Sequence, residues 1–138
     1  MEYVKLGNTG LDVSRLCLGC MGFGDASKWI HQWVLNEEDS RPVIKKALEL
    51  GINFFDTANA YENGRAEEVL GEALKEYPRN SYVVATKLFF PMGPGPNDRG
   101  LSRKHIMEQC DASLIRLGLD YIDLYQCQRF DPEVPMEE

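Results

Sequence analysis

Several features are missing from this 138-residue sequence, and each absence excludes a class of protein. No apolar run approaches the roughly 20 residues that a membrane-spanning helix needs. The opening stretch MEYVKLGNTG has no basic head followed by an apolar segment, so we expect no secretory signal. No block of lysine and arginine offsets the net charge of −7, which opposes binding to phosphate backbones and anionic lipids. We therefore expect a cytoplasmic protein that binds neither nucleic acid nor membrane.

The four cysteines do not have the spacing of a metal or redox site. Two of the four cysteines, Cys17 and Cys20, form a C-x-x-C pair, but the second pair of a zinc site is absent. The pair lies in a predicted strand, where residues three apart point to opposite faces. We interpret these cysteines as small buried residues in a reducing compartment, and we expect no metal.

What is present is the composition of one folded domain covering residues 1–138. Hydrophobic residues make up 43% and charged residues 27%, which suits a chain with its own core. The stretches YVKL and LDVSRL flank a turn at residues 7–10 and predict an antiparallel hairpin. Four predicted strands, at residues 16–20, 52–55, 81–90 and 121–127, then alternate with helices. Such alternation requires parallel strands joined by helical crossovers.

Two folds share this alternation, the doubly wound sheet and the (β/α)₈ or TIM barrel. A doubly wound dinucleotide fold carries G-x-G-x-x-G between its first strand and first helix. Here Gly19, Gly22 and Gly24 lead into a long loop instead, so that fingerprint fails. The hairpin also suits the floor of a barrel. We therefore predict the first four β/α units of a (β/α)₈ barrel, a half-barrel preceded by an N-terminal β-hairpin.

Polar side chains fall where the predicted barrel strands end, which is where barrel enzymes place their catalytic groups. Asp56 follows the second strand, Tyr61 lies in the next loop, Lys87 ends the third strand and Gln128 follows the fourth. A tyrosine is a weak acid near neutral pH, but a neighbouring ammonium group stabilises its phenolate. A carboxylate can hold that ammonium in place. This set of side chains predicts general acid catalysis at a carbonyl oxygen.

Three segments then give a family resemblance. FDTANAY at residues 55–61 resembles the D-T-A-x-x-Y signature of aldo-keto reductases, and ATK at residues 85–87 resembles their lysine strand. DYIDLYQ at residues 120–126 is similar to their fourth strand. KLGNTG at residues 5–10 looks most like the start of the prokaryotic-style subfamily. The resemblance covers essentially the whole chain.

The resemblance implies an NADPH-dependent oxidoreductase that reduces small-molecule aldehydes and ketones to alcohols. Tyr61 would then be the proton donor, with Lys87 and Asp56 tuning it. Cys20, Met21 and Asp56 would lie at the nicotinamide end of NADP(H). In this family most of the cofactor is held by residues of the C-terminal half of the barrel.

Gln128 departs from the family pattern, which has histidine at this position in Y-Q-x-H, whereas residues 125–128 here read YQCQ. Glutamine keeps an N–H donor but cannot ionise. Loss of such a donor costs roughly 10²–10³-fold in rate, and glutamine should lose less. We expect weakened chemistry. The alternative is a non-catalytic barrel that binds nucleotide or partner proteins, as the barrel subunits attached to some potassium channels do.

Length is a second departure, because four strands cannot close a barrel of this type. A lone half exposes two strand edges and the inner face of the sheet. We expect a piece of a longer barrel, an inactive half-barrel fragment, or a half-barrel that self-associates through its open sheet.

The first loop after a barrel strand also carries a group of rings. His31 lies between Trp29 and Trp33 in this loop. Because such loops carry specificity, the rings are candidates for a wall of the substrate pocket, and an ordinary loop role remains open.

Overall fold

The computed structural model describes all 138 residues and contains two sheets and three helices. An antiparallel hairpin comprises β1 (Tyr3–Lys5) and β2 (Asp12–Ser14). The second sheet comprises β3 (Leu18–Gly19), β4 (Phe54–Asp56), β5 (Val83–Leu88) and β6 (Leu124–Cys127). The helices are α1 (Glu37–Glu49), α2 (Arg65–Leu74) and α3 (Arg103–Leu117), and short 3₁₀ turns cover Tyr61–Gly64 and Arg79–Ser81.

The strands of the second sheet are all parallel and lie in the order β3-β4-β5-β6, so each strand pairs with the next one in the sequence. The helix α2 packs against both α1 and α3. A doubly wound sheet reverses its strand order and carries helices on both faces. Sequential strands with neighbouring helices are instead the wall of an α/β barrel. The predicted hairpin and the four parallel strands are confirmed.

The hairpin is fastened to the end of the sheet at which the strands begin. Tyr3 Oη donates a hydrogen bond to the carbonyl oxygen of Gly51 at 2.8 Å. The amide of Ser14 donates to Asn53 Oδ1 at 2.7 Å, just before β4 begins. The opposite end of the sheet, where the strands finish, is therefore left to the loops that carry the candidate site.

Helix boundaries follow the capping residues, whereas the strands are shorter than their apolar runs. Asn36 Oδ1 accepts from the amide of Asp39 at 2.9 Å and so begins α1, and Ser102 caps α3 in the same way. The predicted strand 81–90 is longer than β5 at both ends. At its start, Ser81 belongs to a 3₁₀ turn instead. Cap chemistry is local, but strand length is set by the partner strand.

The hydrophobic core lies between the parallel sheet and the helices. It contains Cys20, Phe23, Ile44, Ala47, Phe55, Val69, Leu70, Ala73, Leu74, Tyr82, Val84 and Leu117. The other face of the sheet carries no helix, and β3 and β6 form its two edges. None of the three helices has the length and apolar character to cross a membrane.

Candidate active site

Lys87 lies at the centre of the candidate site. Its ammonium nitrogen Nζ donates to Asp56 Oδ2 at 2.7 Å, to the carbonyl oxygen of Thr57 at 2.7 Å and to Tyr61 Oη at 3.3 Å. An ammonium group has three protons, so these bonds use all of them. The side chain of Lys87 is 14% exposed and that of Asp56 is 31% exposed. Partial burial makes this ion pair stronger than one in open water.

Neighbouring parallel strands bring these groups to one face of the sheet. Asp56 at the end of β4 pairs in register with Ala85 of β5, and Lys87 is two residues further along β5. Residues two apart on a strand share a face. Beyond β4 the pairing continues, since the amide of Asn59 donates to the carbonyl oxygen of Lys87 at 3.0 Å. The segment leading to Tyr61 therefore stays attached to β5.

Tyr61 begins a turn with two left-handed residues. The φ angle is 46° at Glu62 and 52° at Asn63, a region that costs a non-glycine residue of order 1 kcal/mol or more. The buried carboxylate of Glu62 accepts a hydrogen bond from the amide of Asp25 at 2.5 Å. The turn is thus joined to the loop after β3 as well as to β5, which limits where the phenol can lie.

The strand β6 contributes two amide side chains. Gln128 follows its last residue, and the buried Oε1 atom of this side chain has no hydrogen-bond partner. No hydrogen bond joins Gln128 to the side chains of Asp56, Lys87 or Tyr61. Gln126, for which the sequence pattern predicts no role, donates from Nε2 to Asp56 Oδ1 at 3.1 Å. Its position two residues before Gln128, which directly follows β6, is the signal that could have identified it.

Cys20 and Met21, the two residues expected beside the nicotinamide, differ in how far their side chains are exposed. Cys20 is fully buried in the core, and this burial raises the pKa of its thiol. Its sulfur is enclosed in the core, and the expected contact of Cys20 with the nicotinamide stays a prediction. Met21 is partly exposed. Cys17 is exposed, so the prediction that both cysteines of the C-x-x-C pair are buried is wrong for Cys17 and right for Cys20.

The rings of the first loop form one cluster. The ring centroids of Trp29 and His31 are 4.7 Å apart, and those of His31 and Trp33 are 5.0 Å apart. Trp33 is 58% exposed, and its ring lies 3.9 Å from the place of a Cβ atom on Gly22. Trp29 and Glu62 line a groove of about 310 Å³. The cluster therefore borders both the loop after β3 and the tyrosine turn.

A second charged network lies behind the site, on the helix side of β5. Glu67 has a fully buried carboxylate that accepts from Thr86 Oγ1 at 2.6 Å and from Arg116 Nε at 2.6 Å. Gly64, with φ of 99°, leaves room for the Arg116 side chain, because a Cβ atom on residue 64 would lie 2.5 Å from the arginine Cδ. Thr86 directly precedes Lys87, so this network anchors β5 beside the ammonium. Sequence patterns alone do not reveal it.

Comparison with known proteins places these residues in a family. Residues 15–138 match the model of the aldo/keto reductase family. The whole chain is 45% identical over 157 residues to versiconal hemiacetal acetate reductase of Aspergillus parasiticus, covering 45% of that protein. It is 44% identical to a probable voltage-gated potassium channel subunit beta of Arabidopsis thaliana, covering 40% of it. The whole chain also matches a crystal structure, that of the thermostable aldo-keto reductase Tm1743 with the inhibitor epalrestat, with a TM-score of 0.81 at 31% identity. This match covers 46% of the Tm1743 chain. The chain spans less than half the length of these relatives.

Proposed function

This chain belongs to the aldo/keto reductase family, and from that membership we propose that the protein reduces aldehydes and ketones to alcohols with NADPH. The family groups oxidoreductases that generally use a nicotinamide cofactor, and the choice of NADPH is part of the proposal. One observation carries it, namely the contact of Lys87 Nζ with both Asp56 and Tyr61.

Tyr61 is the proposed proton donor. Hydride from a nicotinamide would reach the carbonyl carbon, and the π electrons of the C=O bond would move onto the oxygen. That oxygen takes the phenolic proton of Tyr61 and becomes the hydroxyl group of the alcohol. Lys87 Nζ, 3.3 Å from the phenolic oxygen, stabilises the phenolate that remains, and Asp56 holds the ammonium there. A proton from water restores the phenol.

Met21 and Asp56 would hold the nicotinamide end of the cofactor. The Asp56 carboxylate uses one oxygen toward Lys87 and the other toward Gln126. Each oxygen has a further lone pair, so the group can also accept a hydrogen bond from a ribose hydroxyl. Met21 is partly exposed and carries a polarisable thioether that suits contact with a flat ring.

Gln128 would supply the remaining donor to the carbonyl oxygen. Its amide N–H can donate, but the group cannot gain a proton and become an imidazolium-like cation. We propose that the reaction is therefore slower than it would be with histidine, and that it is not abolished.

The aromatic cluster supports flat, ring-bearing carbonyl compounds as substrates. Exposed tryptophan rings stack on other aromatic rings and gain little from a short aliphatic chain. Trp29 and Trp33 are the two tryptophans of the sequence, so tryptophan fluorescence, excited at a wavelength that tyrosine does not absorb, reports on this cluster alone. We expect 2-naphthaldehyde to quench that fluorescence at concentrations at which butanal does not. Equal quenching by both compounds would show that the aromatic cluster does not line the substrate site.

The activity itself is tested with the purified protein and two optical signals. Nicotinamide fluorescence should change when NADPH is added, and absorbance of the reduced cofactor should then fall when an aldehyde follows. Tyr61→Phe is the matched variant, because it keeps the ring and removes the phenolic hydroxyl group that carries the acidic proton. We expect this variant to bind NADPH and to lose turnover. Undiminished turnover would rule Tyr61 out as proton donor.

A second candidate function is that of a non-catalytic barrel subunit. Two features favour it: the glutamine at position 128 and the 44% identity to the probable potassium channel subunit. This candidate predicts NADPH binding with no reduction of any aldehyde, even when Gln128 is replaced by histidine. Turnover by the unaltered protein decides against it.

Self-association remains a separate proposal, supported by the open edges of β3 and β6. Light scattering behind gel filtration measures the particle mass directly. A mass of about twice the 15.7 kDa of the chain supports pairing of two copies. A particle at the chain mass contradicts it.

A further inference from the structure

We propose that Gln126 is a positioning residue, which holds the Asp56 carboxylate in the orientation that aligns Lys87 with Tyr61. The inference rests on the proposed function, since it concerns the same proton-donating group. Its basis is the hydrogen bond from Gln126 Nε2 to Asp56 Oδ1 at 3.1 Å. Gln126 contacts neither Lys87 nor Tyr61 by a hydrogen bond, so it acts through Asp56.

The position of Gln126 in the sheet makes this contact specific to a long amide side chain. Gln126 of β6 is the register partner of Lys87 on β5. Asp56 lies on β4, two strands away from β6, and adjacent strands are roughly 4.8 Å apart. The amide must therefore reach across the face of β5 to meet the carboxylate. An asparagine at this position would be one methylene group too short.

The carboxylate is held at both oxygens by different strands. Lys87 of β5 binds Oδ2 at 2.7 Å, and Gln126 of β6 binds Oδ1. A carboxyl group turns easily about its Cβ–Cγ bond. Without the amide, Asp56 is free to turn and offer both oxygens to the ammonium. The amide thus prevents a geometry in which Asp56 takes more than one ammonium proton.

The contact that would suffer is the one to the phenol. All three ammonium protons are in use, and the bond to Tyr61 Oη is the longest of the three at 3.3 Å. A second bond to Asp56 must replace one of the others, and the longest bond is the weakest. Loss of Gln126 would therefore draw the ammonium away from Tyr61 while leaving the ion pair intact.

Gln126→Met is the variant that tests this idea, because methionine has a similar length and volume but no N–H. The matched control is Gln109→Met. Gln109 Oε1 accepts from Asn59 Nδ2 at 2.9 Å, near the same turn, and does not touch Asp56. Both glutamines are partly buried, but Gln109→Met also leaves the buried Asn59 Nδ2 without its acceptor, so thermal melting of both variants is measured first.

The first measurement follows the Lys87 ammonium by ¹⁵N NMR on lysine-labelled protein, with its signal assigned by its absence in Lys87→Met. Exchange of its protons with water should be several-fold faster in Gln126→Met than in the unaltered protein. Gln109→Met should leave the exchange rate unchanged. This measurement needs no turnover, so it tests the positioning role even if the protein reduces no carbonyl compound.

The second measurement is turnover with a fixed aldehyde. Gln126→Met should lower kcat about 10-fold with little change in KM, since a small displacement of a catalytic group slows the chemical step without affecting binding. Gln126→Asn should have a kcat as low as that of Gln126→Met, because the shorter amide side chain does not reach Asp56. Unchanged exchange and kcat in Gln126→Met would overturn the proposal. So would equal effects of Gln109→Met, which would show that the role is only structural.

Discussion

The two faces of the parallel sheet use the same strands for opposite purposes. Toward the helices, Phe55 and Val84 are fully buried and Leu88 is 1% exposed. On the other face, one residue along, Asp56 and Lys87 have side chains that are 31% and 14% exposed. Successive residues of a strand point to opposite sides, so packing and chemistry are separated over a few residues. Substitutions on one face should change stability and those on the other should change turnover.

Each face also contains an ion pair, and the two pairs differ in what they can still bind. Glu67 is fully enclosed, with Thr86 and Arg116 as its partners. Asp56 and Lys87 border open space, and the Asp56 oxygens can accept further hydrogen bonds. A closed pair ties elements together, whereas an open pair can act on a ligand. The two ion pairs, Asp56–Lys87 and Glu67–Arg116, therefore have different roles on the two faces.

The largest expected effect is on turnover, from the open face. Lys87→Met removes the group that stabilises the Tyr61 phenolate, so kcat should fall roughly 10²–10⁴-fold. The free energy of unfolding should change by less than about 2 kcal/mol, because Asp56, the carboxylate that is left, is 31% exposed and can be solvated. Steady-state kinetics and urea titration together check this. A large loss of stability with normal turnover per folded molecule would contradict the assignment of chemistry to this face of the sheet.

On the closed face the expected effect is on stability. Arg116→Met leaves the Glu67 carboxylate buried and without its cation, which should lower the free energy of unfolding by about 3–5 kcal/mol. Arg65→Met is the control, since that arginine side chain is 39% exposed in its ion pairs and should lose less than about 1 kcal/mol. Urea titration measures both variants. Similar losses in the two would mean that burial of the pair does not matter.

Gln128→His should raise kcat about 10-fold, because an ionisable donor replaces a neutral amide. Stability should stay the same, since the side chain lies beyond the end of β6 rather than in the core. A Gln128→Asn variant serves as the control that changes size without adding a basic group. No gain on introducing histidine would argue that position 128 does not contact the carbonyl oxygen.

The smallest effect is a pH dependence of stability from His105 on α3. This histidine is 1% exposed, and burial lowers its pKa below the ordinary value of about 6.5. The folded state therefore favours the neutral ring, so its contribution to stability is complete above about pH 6.5 and is lost as the pH falls toward the lowered pKa. Urea titrations between pH 7 and pH 5 should show this decline, and His105→Gln should reduce it. An equal decline in His105→Gln would assign the effect to other groups.

Much of this architecture could be predicted from local patterns. The turn at residues 7–10, the Asn36 cap and the strand-helix alternation rest on short-range chemistry, and the structure has all three. The grouping of Asp56, Tyr61 and Lys87 also follows, because strand ends of a parallel sheet meet at one edge. The exposure of Cys17 differs from the prediction of a buried pair, because exposure depends on what packs against a side chain.

The sequence by itself determined the family, the half-barrel pattern and the three residues around the ammonium group. Only the tertiary structure decided which further side chains meet them. Gln126 reaches Asp56 from 70 positions away, and Glu67 joins Thr86 and Arg116 across two helices and a strand. Such contacts depend on register and on the distance between packed elements. Residue spacing encodes which face a side chain takes, but it does not encode what that side chain will touch.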